Sequence, residues 1–154
     1  AQALGLTTAV VVASGMIDAH AGGVALAGAE PEGTLALISG TSNCHMLCSR
    51  HEIHTPGVWG PYWSAMLPGF WLTEGGQSAA GALVDWTLQE SGASAELFNK
   101  AEARGSHPIV LVNEWVAALE EQESEPGRYL HVLADHHGNR SPRARPDARG
   151  VCVV

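Results

Sequence analysis

Two short apolar runs, Thr8 to Ala13 and Thr34 to Ser39, flank a stretch of mostly small residues, and this arrangement most restricts the fold. A run with no polar alternation is what a strand covered on both faces looks like, so Thr8 to Ala13 is expected as a buried strand. Ser14-Gly15 breaks it. Asp18 then stands before Ala19 to Ala27, whose Ala and Gly allow close backbone approach; this segment reads as a tightly packed helix with Asp18 as a fitting N-cap. After the turn Glu30-Pro-Glu-Gly33, the second run meets Cys44 to Ser49 across Gly40-Thr-Ser-Asn43, which reads as a hairpin.

The remainder alternates loop and helix signals. His51 to Gly76 is rich in Pro and Gly yet carries Trp59, Tyr62, Trp63, Phe70 and Trp71, so it is expected as aromatic loop that lids a cleft or fills its base. From Gln77 the apolar spacing turns helical, with Ser78 as a cap. Two amphipathic helices follow over Ala93 to Ala103 and Pro108 to Gln122, the second with Val110, Leu111, Trp115, Val116 and Leu119 on one stripe. Glu120 to Gly127 reads as a charged linker, Tyr129 to Leu133 as a short strand, and Asp135 to Pro142 as a polar loop. The fold class is α/β.

With 154 residues, 45% of them hydrophobic, and five Trp, the chain has material for one packed core and does not resemble a disordered tail. A formal charge of −8 argues against a nucleic-acid or anionic-membrane surface. No apolar run reaches the ~18 residues of a membrane span. Three Cys without a disulfide-type pattern suit a reducing cytoplasm. The chain lacks an initial Met; Ala1 to Leu6 reads like the tail of a helix and Gly150 to Val154 like a strand cut short. It is therefore expected to be an internal piece of a longer protein.

Three places carry candidate chemistry. Asp18 is either a helix cap or a general base, and both only if one oxygen stays free. Gly40-Thr41-Ser42 is either a plain hairpin turn or a nest of N–H groups for phosphate oxygens, with the Thr41 hydroxyl as a further donor. It lacks the Gly-Lys-Thr ending of a P-loop. Glu74-Gly-Gly-Gln-Ser78 reads as a glycine turn feeding a helix N-terminus, either punctuation or a polar-ligand site, with Gly81 and Asp85 one turn apart beyond it. Cys44, His45, Cys48, His51 and His54 fall within eleven residues. Zinc, however, wants two ligand pairs separated by a loop, and strand alternation puts Cys44 and Cys48 on one face with His45 on the other. Small core cysteines are the expected state, and no metal ligand is assigned.

Taken in order, Asp18-Ala-His-Ala-Gly, Gly40-Thr-Ser-Asn-Cys-His-Met, Pro56-Gly-Val-Trp-Gly-Pro-Tyr, Trp71-Leu-Thr-Glu-Gly-Gly-Gln-Ser and His137-Gly-Asn-Arg-Ser-Pro resemble the FGGY family of carbohydrate kinases, most of all its ribulokinase branch. The resemblance implies a partial actin/hexokinase-like (ribonuclease H-like) fold, a mixed sheet with flanking helices. Residues 1–33 would end the first domain and 34–154 would form an incomplete second one. It further implies Asp18 as catalytic base, Gly40, Thr41 and Ser42 on the phosphates of ATP, Gly81 and Asp85 on the nucleotide, and Asp18, His20 and Glu74 on the sugar, with Mg²⁺ accompanying ATP. The wording around Trp59 is similar to the D-ribulokinase type, so D-ribulose phosphorylated at its terminal hydroxyl is the expected reaction. An L-ribulokinase or another polyol kinase is the alternative.

The departures shape the expectation. The Asp-x-Gly-Thr turn that such kinases use for phosphate and Mg²⁺, and their Gly-Gly adenosine segment, are not in these residues, so the chain alone is expected not to turn over ATP. His136 stands where such kinases carry Phe or Trp, which leaves the roles of Asn139 and Arg140 open. A truncated protein that binds sugar or a partner without catalysis, and a small zinc module, are the readings from other classes. The expected partners are a pentulose and ATP, with a homodimer as an option for the complete protein.

Overall fold

The computed structural model describes residues 2–7 and 9–154. Ala1 and Thr8, placed above in a helix tail and at a strand start, lie outside the described residues. Gln2–Leu4 form one 3-10 turn. Beyond it the expected buried strand is not found: Val10 to Ala13 pair with no strand, and Val11 and Val12 are 89% and 87% exposed. β-type residues make a strand only where a second strand takes their N–H and C=O groups. None of the described strands lies alongside them.

The core is a four-stranded sheet, β1 (Leu35–Ser39), β2 (Asn43–Ser49), β3 (Trp59–Trp63) and β4 (Trp71–Gln77), in the order β1-β2-β4-β3. Every pairing in it is antiparallel, so the mixed sheet expected from the resemblance is antiparallel throughout its described part. The β1–β2 hairpin closes as read, with Ser39 opposite Asn43. The His51 to Gly76 segment, by contrast, is not mainly loop, since it contains β3 and β4. Glu74 to Gln77 are strand and not a turn, with Gly75 and Gly76 opposite His45 and Cys44. Glycine there serves close packing: a Cβ on Gly76 would come 2.7 Å from the Asn43 carbonyl oxygen.

Helix α1 (Asp18–Ala27) lies across one face of this sheet. Its small residues permit the approach, since a Cβ on Gly22 would come 2.8 Å from Ile38 Cδ1. Between helix and sheet sit Ala27, Ala36, Met46, Cys48, Met66 and Leu72, all buried. Alternation in β2 sends Met46 and Cys48 to this core, and the thiol acts as a small hydrophobe.

Helices α2 (Gly81–Glu90), α3 (Ser94–Arg104) and α4 (Pro108–Gln122) form a second layer around Leu97, Ala101 and Leu111. Gly105 ends α3 in the left-handed region (φ 62°), and Ser106 N–H closes the turn on the Ala101 carbonyl. Pro108 opens α4 behind His107. Ser78 does not cap α2, whose cap position is Ala80, three residues after β4 began to release the chain. Of the apolar stripe read on α4 only Leu111 is buried; Val110, Trp115, Val116 and Leu119 are exposed. A two-stranded ribbon, β5 (His131–Leu133) with β6 (Val151–Val153), completes the described elements.

Candidate functional site

Asp18 is the first residue of α1 and not its cap. Ile17 holds the cap position in extended conformation, with no side-chain cap bond. From inside the first turn the Asp18 carboxylate can reach only the nearest N–H: Oδ1 accepts from Ala19 at 2.8 Å. A carboxylate there is favoured by the helix dipole. Its Oδ2 has no partner among the described residues, so one oxygen stays free at an exposed position.

Asp18 lines a cleft of about 360 Å³ whose walls also include Ser39, Gly40, Thr41, Ser42 and Cys44. The structure thus brings the lone carboxylate and the Gly-Thr-Ser turn to one opening, from positions more than twenty residues apart in sequence. The turn is rigidly held. Gly40 N–H donates to the Ser42 carbonyl at 2.9 Å, while the carbonyls of Thr41 and Gly40 accept from Ala80 and Gly81 N–H, each at 2.9 Å. The N-terminus of α2 is therefore occupied by the turn, and its N–H groups are not the free anion site that the sequence suggested. The N–H groups of Thr41 and Ser42 find no backbone acceptor among the described residues.

Glu74 extends from β4 on the face that α1 covers. His20 Nε2 lies 3.4 Å from Glu74 Oε2, with both side chains largely buried. Cys44 sits between this pair and the cleft. Burial pushes its thiol above the usual range; the Glu74 charge adds to the shift, Arg140 opposes it, and Asp18 adds a further push. Asp18, His20, Cys44 and Glu74 therefore share one neighbourhood at the end of the sheet.

On the other side of the turn a groove of about 630 Å³ runs between α2, α4 and the end of β4. Gly40, Gly81, Val84, Leu88, Ile109 and Val112 contribute to its lining, which is mainly apolar. Gly81 is packed to its limit, since a Cβ there would come 2.6 Å from the Gly40 carbonyl oxygen. Asp85, one turn further along α2, is exposed and not among the residues lining the groove. Sequence reasoning missed Asn43, Ile109 and Val112 in this wall. Asn43 left a signal only in the structure, where its Oδ1 is buried without a partner.

Arg140, whose role the sequence left open, is brought next to the site. Its guanidinium stacks over Trp59 at 4.7 Å, and a Cβ on Gly76 would lie 3.8 Å from its Cζ. Among the described residues no group of three or more His, Cys, Asp or Glu could hold a metal ion. Asp18 is the one carboxylate lining the cleft. Mg²⁺ takes octahedral oxygen ligands, usually one or two carboxylates plus phosphates and waters, so these residues alone do not make a site for it. A free carboxylate oxygen beside unoccupied N–H donors can take a proton from a hydroxyl positioned next to a bound anion.

Residues 35–153 match the C-terminal domain of the FGGY family of carbohydrate kinases. The chain is 44% identical over 169 residues to an FGGY carbohydrate kinase domain-containing protein of Xenopus laevis, covering 99% of this chain and 30% of that protein. It is 37% identical over 176 residues to a D-ribulokinase of Saccharomyces cerevisiae, covering 98% and 24%. A ribulokinase of Halalkalibacterium halodurans is 36% identical over 153 residues, covering 99% and 26%. The fold is similar to the crystal structure of xylulose kinase from Rhodospirillum rubrum, with a TM-score of 0.63 at 22% identity over 97% of this chain and 26% of that one. The chain thus spans less than a third of the length of these relatives.

Proposed function

The chain belongs to the FGGY family of carbohydrate kinases, and from that premise we propose that the complete protein transfers the γ-phosphoryl group of ATP to the terminal hydroxyl of a pentulose, D-ribulose first. The observation that carries this reading is the cleft shared by Asp18 and the Gly40-Thr41-Ser42 turn. Asp18 Oδ2 takes the hydroxyl proton as the sugar oxygen bonds to the γ-phosphorus and the bond to the β-phosphate oxygen breaks, releasing ADP. Thr41 and Ser42 N–H, with the Thr41 hydroxyl, meet phosphate oxygens; Gly40 shapes the turn that aims them. Catalysis of this kind rests on placement and charge, so a rigid turn matters more than a strongly basic residue.

Glu74 and His20, linked to one another beside Cys44, form the sugar side in this reading. The apolar groove behind Gly81 suits a nucleobase; Asp85, exposed and outside its lining, would meet a nucleotide only beyond the base. Mg²⁺ would accompany ATP, since the residues of the cleft alone do not make a site for it. Residues 1–33 are assigned to the end of a first domain and 34–154 to the second, an assignment supported by the family match beginning at residue 35. Three free thiols suit the cytoplasm. D-ribulose is supported by the likeness to the yeast D-ribulokinase and by the residues around Trp59. A bacterial ribulokinase stands almost level in identity, which keeps L-ribulose as the second candidate.

An ADP-release assay of the complete gene product against D-ribulose, L-ribulose, D-xylulose and glycerol tests the proposal. D-ribulose is expected to give the highest kcat/KM. A preference for another polyol overturns the substrate assignment, and no turnover with any of them overturns the kinase reading.

A further inference from the structure

A second cavity, of about 610 Å³, shares no lining residue with the cleft. Arg140, Arg149, His136 and His137 line it together with Ser78 and Trp59, and no acidic side chain does. That is unusual for this chain, where sixteen acidic residues face eight Lys and Arg. Five of those eight are already matched: Arg50 with Glu32, Lys100 with Glu96, Arg104 with Glu114, Arg128 with Glu125 and Arg145 with Asp147. Among the described residues Arg140, Arg143 and Arg149 make no such pair, and two of these three converge on one cavity.

The cavity is also built, not incidental. Asp135 is buried and its Oδ1 accepts from Asn139 Nδ2 at 2.9 Å, while Asn139 Oδ1 accepts from Arg143 N–H at 2.9 Å. The Asn139 backbone pairs in both directions with Arg145. Ser141 Oγ ties the loop to the Gly57 carbonyl at 3.0 Å. The Arg140 guanidinium lies over the Trp59 ring and makes no hydrogen bond among the described residues. His136 packs against Trp86 at a tilt of 49°, with ring centroids 5.4 Å apart. Arg149 Nη1 donates to the Pro146 and Ala148 carbonyls at 3.4 and 2.8 Å, which holds this guanidinium at the wall without an acidic partner. Guanidinium groups free of carboxylates in a concave, acid-free wall are what recognises a dianion with several oxygens.

We propose that this cavity is an anion site for a phosphate group, held by Arg140 and Arg149 with His136, His137 and Ser78 as further donors. It is separate from the ATP-phosphate turn, with which it shares no lining residue. Its ligand is a phosphate monoester such as a pentulose phosphate, or free phosphate, which offer the same oxygens.

Calorimetric titration of the complete gene product at low salt and without ATP tests this, with inorganic phosphate in one arm and a pentulose 5-phosphate in the other. Binding is expected in at least one arm. Arg140→Gln and Arg149→Gln should each weaken it roughly tenfold or more, while Arg143→Gln, a loop arginine outside the cavity, should leave it unchanged. Tighter binding of the sugar phosphate names the ester as the ligand, and equal binding names phosphate itself. Arg140→Lys keeps the charge and guards against a folding failure, so it should retain most of the affinity. Absence of binding in both arms, affinity unchanged from the unaltered protein in either Gln variant, an equal loss in Arg143→Gln, or displacement by a non-hydrolysable ATP analogue would each overturn the assignment. Asp18→Asn should leave phosphate binding intact, so this proposal and the kinase reading fail separately.

Discussion

At Asp18, which lines the cleft, one carboxylate oxygen serves the helix and the other has no partner among the described residues. The Oδ1 bond to Ala19 N–H and the helix dipole together contribute about 1 kcal/mol at such an exposed position. The free oxygen is the one the reaction needs. Asp18→Asn keeps the shape and an amide oxygen for Ala19 but cannot accept a proton. In the complete protein kcat for sugar phosphorylation should therefore fall by roughly 10²–10⁴, with the urea midpoint little changed; turnover near that of the unaltered protein would remove Asp18 from the base role. The core thiol makes the contrasting case. Burial pushes Cys48 above the usual thiol range, so the folded chain holds this proton to higher pH than the unfolded chain does. The resulting stability is fully present below the ordinary thiol pKa and is lost as pH rises through the raised one. The stability difference between the unaltered protein and Cys48→Ala should be constant from about pH 6 to 8 and shrink above roughly pH 8.5. Denaturant titrations across that range would show it, and a difference that grows instead would contradict the sign.

Among elements, the decisive junction is the start of α2 against the 40–42 turn. Gly81 lets the helix meet the Gly40 carbonyl directly, and an added Cβ at 2.6 Å must push backbone. Gly81→Ala should cost roughly 1–3 kcal/mol and tilt the turn, raising KM for ATP more than KM for the sugar; an unchanged KM for ATP would detach Gly81 from the nucleotide. The same junction shows what could be read from sequence. The β1–β2 hairpin and the span of α4 were legible because turn residues and apolar spacing report local geometry. Glu74 to Gln77 were not, since two consecutive glycines signal a turn by propensity and here serve sheet packing against Asn43. Val10 to Ala13 misled in the opposite way, because β-branched residues promise a strand that only a partner can complete. Asp18 and Gly40–Ser42 could be placed in one site only through family resemblance; no local rule joins residues that far apart. Arg140 went unassigned because its position depends on the Asp135–Asn139 staple and on Trp59, all distant in the chain or unremarkable alone.

On the scale of the whole molecule the chain has two cores and not one. Met46, Cys48, Leu72 and their neighbours join α1 to the sheet, while Leu97, Ala101 and Leu111 hold the helical layer, and the two clusters share no residue. The proposed chemistry divides along the same line, with Asp18, His20 and Glu74 on the first core and the apolar groove partly on the second through Leu88 and Val112. Loosening the helical core should then reach the nucleotide without reaching the sugar. Leu111 is 1% exposed, so Leu111→Ala removes packed volume from a small cluster that has little else to close the gap, at roughly 2–3 kcal/mol. Amide exchange should accelerate across α3 and α4 while β2 and β4 keep their protection. KM for ATP should rise several-fold, with KM for the pentulose unchanged. If exchange instead accelerates equally in both layers, the cores open as a single cooperative unit, and the separation of nucleotide and sugar binding cannot rest on their packing.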